Sequence, residues 1–306
     1  MSEPGVHVVT GAFGYTGRYV THRLLAKGIR VKTLTGHPDR PNPFGEQVSA
    51  VPFNFDKPGE LVKSLRGAAV LYNTYWVRFT HGSTGFDQAV ENTKTLVRAA
   101  EEAGVSRIVH VSIANADSRS PLPYYRGKGL LEEFIQQSKL SHAIVCPTVI
   151  YSAEDVLINN IAWIVRRFPA FGVPGKGDYG LQPIFVEDMA DITVDAGSRT
   201  DNMHVDAVGP EIFTFDELVR LIARKINRRV MIIHMPPGLA LFASQFIGLL
   251  VGDVVLTREE VDGLMANLLV SKRPPTGTTK LSEWLTQNAD KVGVRYASEL
   301  SRHFRK

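Results

Sequence analysis

The feature that most constrains this chain is a glycine triplet near its start. Gly11-Ala12-Phe13-Gly14-Tyr15-Thr16-Gly17-Arg18 follows a β-branched run, Val6 to Thr10, and opens a helical stretch from Tyr15 to Lys27. Strand, glycine turn and helix in that order form a cradle for a dinucleotide. Gly11 permits the tight turn, Gly14 lets backbone amides approach a pyrophosphate, and Gly17 lets the helix pack close to the strand. The helix N-terminus adds backbone N–H donors and a partial positive charge. The spacing is Gly-x-x-Gly-x-x-Gly, so its position between strand and helix carries the reading more than the glycines alone.

The rest of the first half repeats the β-α rhythm. Val31 to Thr35, Val48 to Phe55, Ala69 to Asn73, Arg107 to Ser112 and His142 to Cys146 read as strands. Leu61 to Arg66, Phe86 to Ala103 and Tyr124 to Ser138 read as the helices between them. Short connections and this alternation predict an α/β fold, a doubly wound parallel sheet covered by helices on both faces. After Pro147 the rhythm breaks. A helix is expected at Val156 to Arg167, a glycine-rich loop at Gly172 to Gly180, and single strands at Ile184 to Val186, Met203 to Val208 and Arg229 to His234. A helix at Asp188 to Ala196 separates the first two of these, and Thr214 or Asp216 is placed to cap a later one. The boundaries that follow are 1–155 for the nucleotide-binding domain, completed by about 181–208. Residues 156–306 form a smaller, mostly helical C-terminal substrate domain.

Composition narrows the function classes. The 306 residues are 44% hydrophobic, enough for a core, and this excludes intrinsic disorder and collagen. Net charge is +4 with basic residues dispersed, so no nucleic-acid partner is expected. One cysteine, Cys146, cannot form an internal disulfide, and residues 1–5 lack the pattern of a signal peptide. A cytoplasmic location is the expectation. The uncharged stretch Met235 to Gly252 is too short in its helical part to cross a bilayer needing ~20 residues. It reads as a buried helix of the second domain, with peripheral membrane or partner contact as the alternative. The nine histidines show no metal-ligand spacing, so no metal is expected. No Gly-x-Ser-x-Gly elbow supports a hydrolase.

Cofactor choice turns on the end of the second strand. NAD specificity asks for an acid there to hold the ribose 2′-OH. This chain has Leu34-Thr35-Gly36-His37-Pro38, and Asp39 falls after a proline in turn context. Arg18 and Arg40 can neutralise a 2′-phosphate, with Thr35 and His37 adding hydrogen bonds, so NADP(H) is preferred and NAD(H) is the alternative. Asp56, after the third strand, is placed for the adenine amino group, and a plain loop carboxylate is the competing reading. Phe13 and Tyr15 belong to the turn itself.

Tyr124 and Lys128 stand four apart at a helix start and share one face. A phenol with pKa ~10 is a poor base at neutral pH, and a neighbouring ammonium favours its ionised form. Ser112 ends the fifth strand twelve residues before Tyr124, where its hydroxyl can hold a substrate oxygen. Tyr125 competes for the tyrosine role but is not one turn from Lys128. Trp76 belongs to a bulky segment, Thr74 to Phe79, after the fourth strand. Arg78 and His81 follow the fourth strand and can meet an anionic substrate, with a plain solvated loop as the competing reading. Cys146 sits among apolar neighbours in a strand and reads as buried.

Gly11, Gly14 and Gly17, Asn92 in the long helix, His110-Val111-Ser112, and Tyr124 with Lys128 together resemble the short-chain dehydrogenase/reductases. Ile144-Val145-Cys146-Pro147-Thr148-Val149-Ile150-Tyr151 is similar to the strand-proline segment of their extended and atypical branches. Gln182-Pro183-Ile184-Phe185-Val186-Glu187-Asp188 resembles another of their segments. The atypical branch is the nearer one; it includes NmrA-like sensors and the nucleotide-binding accessory subunit of respiratory complex I, beside NAD-dependent epimerase-dehydratases. The resemblance implies a Rossmann sheet binding NAD(P)(H) and hydride transfer at an oxygen-bearing carbon of a small molecule, as an oxidoreductase or epimerase. It implies Tyr124 as acid/base, Lys128 on the nicotinamide ribose, Ser112 polarising the substrate, and Asn73 and Pro147 beside the cofactor. By the same resemblance the Thr74 to Phe79 segment, Trp76 included, lines the pocket near the nicotinamide. It also leaves a non-catalytic redox sensor or assembly subunit as the alternative, and a homodimer as the common assembly. Cys146-Pro147 stands where extended members often carry Arg-Pro.

Overall fold

A computed structural model describes residues 5–79 and 85–300. Two compact units are formed, residues 1–146 with 190–205, and residues 147–189 with 206–306. The first unit begins β1 (Val6–Thr10), α1 (Tyr15–Ala26), β2 (Val31–Thr35), β3 (Val48–Pro52), α2 (Pro58–Leu65) and β4 (Ala68–Asn73). It continues with α3 (Phe86–Ala103), β5 (Arg107–Val111), α4 (Pro123–Gln136) and β6 (Ser141–Pro147). The strands lie in the order β3-β2-β1-β4-β5-β6, each pairing parallel. This is a doubly wound α/β order, and the reversal between β1 and β4 is where such sheets bind ligands.

The sequence pattern accounts for the layers. β4 and β5 are buried along nearly their whole length, as expected for strands covered on both faces. Leu61 and Leu65 of α2, Leu96 and Val97 of α3, and Ile135 of α4 join Val8, Leu71 and Ile108 in one core cluster. α3 stops at Gly104, whose φ of +77° gives the left-handed cap that ends helices. β3 is shorter than its apolar run suggests. It ends at Pro52, and Asn54 at φ +50° turns the chain, so Asp56 lies exposed in a turn before α2.

The later chain carries β7 (Ile150–Tyr151), α5 (Leu157–Arg167), β8 (Ala170–Pro174), β9 (Gly180–Leu181), β10 (Ile184–Phe185) and α6 (Val186–Ser198). β11 (Met203–Ala207) then joins the β6 edge as the seventh strand of the sheet. β12 (Phe213–Thr214), α7 (Phe215–Lys225), β13 (Met231–Met235), α8 (Pro237–Val251), α9 (Arg258–Met265) and α10 (Leu281–Asn288) complete the second unit. Thr214 caps α7 in a reciprocal box with Glu217. The expected loop at 172–180 is in part a strand. β8 pairs parallel with β13, and only after Pro174 do Gly175 and Gly177, at φ +68° and +71°, turn the chain. A period-two reading misses β8 because a two-stranded pair with a glycine in it carries almost no apolar alternation.

α8 corrects another expectation. It buries only Ala240, Ser244 and Gly248, one small residue per turn. Leu239, Phe242, Phe246, Leu249 and Leu250 are 52–81% exposed on the opposite face. No helix among the described residues is long and apolar enough to cross a membrane.

One polar knot holds the centre of the sheet. Asn73 is fully buried; its Oδ1 accepts from the Thr10 hydroxyl at 3.1 Å and the Tyr75 N–H at 3.2 Å. Its Nδ2 donates to His110 Nδ1 at 2.9 Å, so β1, β4 and β5 are tied through one amide. Removing it leaves buried partners unsatisfied, which costs about 1–3 kcal/mol each. Asn73→Leu is expected to lower stability by about 2–3 kcal/mol in urea unfolding; an unchanged midpoint would contradict the knot.

Candidate functional site

Backbone crowding explains each glycine of the turn. Gly11 has φ +67° and donates its N–H to Leu34 O at 2.7 Å, fixing the turn to β2. A Cβ on Gly17 would lie 2.3 Å from Gly11 O, and one on Gly14 3.2 Å from the same atom. Ala12 N–H donates to the Thr33 hydroxyl at 3.0 Å. Gly14 is the N-cap of α1 and brings no side-chain acceptor, and the first turn carries no acid. A bare, dipole-bearing helix start beside a turn without side chains suits an anionic pyrophosphate.

Around this cradle the expected cofactor residues fall as follows. Phe13 stacks with Phe44 at 6.5 Å, and Tyr15 meets Tyr19 edge-on at 6.0 Å. Arg18 lies over the Tyr19 ring, 5.6 Å from its centroid. The Thr35 hydroxyl accepts from His37 N–H at 3.1 Å, and the His37 carbonyl accepts from Arg40 N–H at 3.2 Å, so these residues shape one turn at the end of β2. Phe53, Phe55 and Tyr75 pack together with centroids 4.8–5.1 Å apart, and the Tyr75 hydroxyl accepts from Asn92 at 2.9 Å. This aromatic group after β3 and β4 was not read from the sequence, although its residues flank two strand ends. Asn73 spends its amide on the sheet, as described, and Pro147 is buried at the end of β6.

The candidate catalytic group is set by α4. Lys128 is 2% exposed; its Nζ donates to Val111 O at 2.8 Å and lies 4.4 Å from the centroid of the Trp76 ring. Trp76 meets Tyr124 edge-on at 5.7 Å and stacks on Phe86 at 6.1 Å. A Cβ on Gly127 would come within 2.9 Å of the indole, so that glycine makes room for it. The indole N–H of Trp76 is buried with no hydrogen-bond partner. Tyr125, the competing tyrosine, is buried, and burial pushes its phenol well above the ordinary value. Arg78 lies over the Phe79 ring at 5.7 Å, and His81 falls outside the described residues.

Ser112 departs from its expected company. It is 4% exposed, and its hydroxyl donates to the Glu132 carboxylate. Glu132 also accepts from His204 Nε2 at 3.0 Å and lies 3.5 Å from Cys146 Sγ. Glu132 was missed by sequence reasoning although it stands one turn after Lys128 on the same helix face. His204, 58 residues beyond Cys146, gave no signal at all.

Residues 11–160 match the NAD(P)H-binding family. That match covers just under half of the chain. Relatives of several kinds match about three quarters of the chain. The Arabidopsis thaliana mitochondrial protein "NADH dehydrogenase [ubiquinone] 1 alpha subcomplex subunit 9" is 27% identical over 243 residues, covering 76% of this chain and 60% of that protein. The chain spans about three fifths of the length of such relatives. A ceramide reductase of Caulobacter vibrioides is 26% identical over 241 residues, covering 77% of this chain and 75% of that protein. An NADPH-dependent quinone oxidoreductase from Escherichia coli, solved with NADPH, has a TM-score of 0.75 at 18% identity over 92% of this chain and 99% of its own. That likeness shows the shared fold.

Electrostatics of the NAD(P)H-binding domain centre on Lys128. Burial drives its ammonium down to about 7, against the smaller opposing pull of Glu132 and Cys146. Burial also holds the His110 imidazole well below its ordinary range, with the Lys128 charge adding to the effect. Because Lys128 binds its proton less tightly when folded, the unfolded chain holds more protons between about 7 and the ordinary 10.5. Stability therefore rises with pH across that window, and the burial penalty is felt in full below it. In paired urea titrations the wild type is expected to gain stability relative to Lys128→Met from neutral to alkaline pH. Parallel curves would mean that Lys128 titrates as a solvated lysine.

Proposed function

We propose that this chain is an NAD(P)H-dependent oxidoreductase of the short-chain dehydrogenase/reductase type, reducing a carbonyl carbon on an apolar small molecule. The observation that carries the reading is the shared face of α4, where Tyr124 and Lys128 both lie against Trp76. Bound NAD(P)H supplies the hydride. Tyr124 supplies the proton to the developing alkoxide oxygen, and the Lys128 ammonium one turn away offsets the negative charge left on the phenol. Trp76 and Phe86 present aromatic surface at this place, which supports an apolar substrate over a sugar and a reductase over an epimerase. The Trp76 indole N–H is a donor available to a substrate oxygen.

Ser112 serves in this reading as a positioning residue, because its hydroxyl is engaged by Glu132. Gly11, Gly14 and Gly17 hold the pyrophosphate. Arg18 and Arg40, with Thr35 and His37, favour a 2′-phosphate, since no carboxylate stands at the end of β2. The preferred cofactor is therefore NADPH.

A second reading, a nucleotide-binding subunit that does not turn over substrate, is favoured by that same engagement of Ser112. One experiment separates the two. NADPH oxidation is followed with a panel of apolar ketones, aldehydes and quinones, with NADH in parallel. The expected result is turnover with NADPH that falls by about 10²–10⁴-fold in Tyr124→Phe while NADPH affinity is kept. Undiminished turnover in that variant would overturn the assignment of Tyr124, and tight NADPH binding without any turnover would favour the second reading.

A further inference from the structure

The fold assembles a donor set that no spacing in the sequence announces. Glu132 on α4, Cys146 near the end of β6 and His204 on β11 each bring one ligand atom to the same spot in the first unit, all within 4.8 Å of one another. We propose that this triad is a binding site for a divalent transition-metal ion of the zinc class. The inference rests on the geometry of these side chains and stands apart from the proposed reductase activity.

The size of the triangle is the first argument. Cys146 Sγ is 3.5 Å from His204 Nε2 and 3.5 Å from Glu132 Oε1, while His204 Nε2 is 3.0 Å from the other carboxylate oxygen, Oε2; with one oxygen chosen as ligand, the three donor atoms lie within 4.8 Å of one another. Zinc bonds of ~2.3 Å to sulfur and ~2.0–2.1 Å to nitrogen and oxygen, at a tetrahedral angle, require ligand separations of ~3.5 Å for S–N and S–O and ~3.3 Å for N–O. The sulfur–nitrogen edge already has the required length, and a rotation of the Glu132 carboxylate brings one oxygen to complete the set. The second argument is donor chemistry. A thiolate, an imidazole and a carboxylate form a borderline-soft set, which suits zinc and disfavours magnesium or calcium.

Support and access complete the site. The Ser112 hydroxyl donates to Glu132 and fixes the orientation of its carboxylate, the role that outer partners play around metal ligands. Cys146 is 1% exposed, whereas the His204 side chain is 33% exposed, so an ion reaches the site from the His204 side. Binding converts the Cys146 thiol to a thiolate and releases its proton to solvent. The ion's two positive charges are then matched by the thiolate and the Glu132 carboxylate, with His204 neutral.

The test uses the untagged full chain, freed of metal by a chelator and titrated with Co²⁺ as a coloured stand-in for Zn²⁺. A thiolate-to-cobalt charge-transfer band that saturates at one equivalent and is displaced by Zn²⁺ is expected. Cys146→Ser removes the band. His204→Gln, at a partly exposed position with little bearing on folding, weakens binding at least about tenfold, and Ser112→Ala weakens it about 10–100-fold. Retained NADPH binding shows that each variant is folded. No charge-transfer band in the wild type overturns the site, as does a band that survives in Cys146→Ser.

Discussion

A buried ammonium organises the Tyr124–Lys128 end of the candidate site. Taking an ammonium out of water costs several kcal/mol even after the protein relaxes. Lys128 recovers part of that through one charged hydrogen bond to Val111 O, worth about 1.5–3 kcal/mol. Contact with the Trp76 face adds about 0.5–2 kcal/mol. The compensation is incomplete, and the depressed proton affinity of Lys128 is the remainder. Each contact comes from a different strand end. Val111 closes β5, Trp76 follows β4, and Lys128 itself rides on the helix that leads into β6. The parallel sheet must set all three ends side by side before the lysine has any partner.

The glycines serve that assembly as much as the cofactor. Gly17 lets α1 approach the turn within a distance no Cβ tolerates, and Gly127 does the same for the indole against α4. A Cβ on Gly129 would fall 2.2 Å from Ser118 N, so the segment after β5 also packs directly on the helix backbone. Small residues at these contacts bring the phosphate cradle at β1 and the Tyr124–Lys128 face into one sheet, on either side of the β1/β4 reversal. In doubly wound sheets such a reversal opens a crevice at the strand ends; here the glycine turn follows β1 and Trp76 follows β4.

The sheet was legible because its signals are local. β-branched runs closed by glycines, and helices of 12 to 18 residues with one apolar face, mark β1, α1, β2 and α3 nearly to the residue. The Tyr124–Lys128 pair was legible because one helical turn separates its members. Where the fold joins distant segments, the sequence was silent. Nothing local announces that Ser112 donates to Glu132 or that His204 reaches Cys146. The resemblance places Asn73 beside a cofactor, and no local signal announces that its amide also bonds Thr10, Tyr75 and His110. α8 misled through composition, since an uncharged apolar helix suggests burial while only its small residues are covered.

Trp76, 4.4 Å from Lys128 Nζ, is expected to neighbour whatever occupies the Lys128 end of the proposed cofactor site. Titrating the protein with NADPH while following tryptophan emission tests this most directly, with Trp76→Phe as the comparison and calorimetry reporting binding in both. A saturable quench in the wild type that is largely lost in Trp76→Phe, with binding retained, is the expected result. An equal quench in the two proteins would place the nicotinamide away from Trp76 and contradict the shared Tyr124–Lys128–Trp76 site.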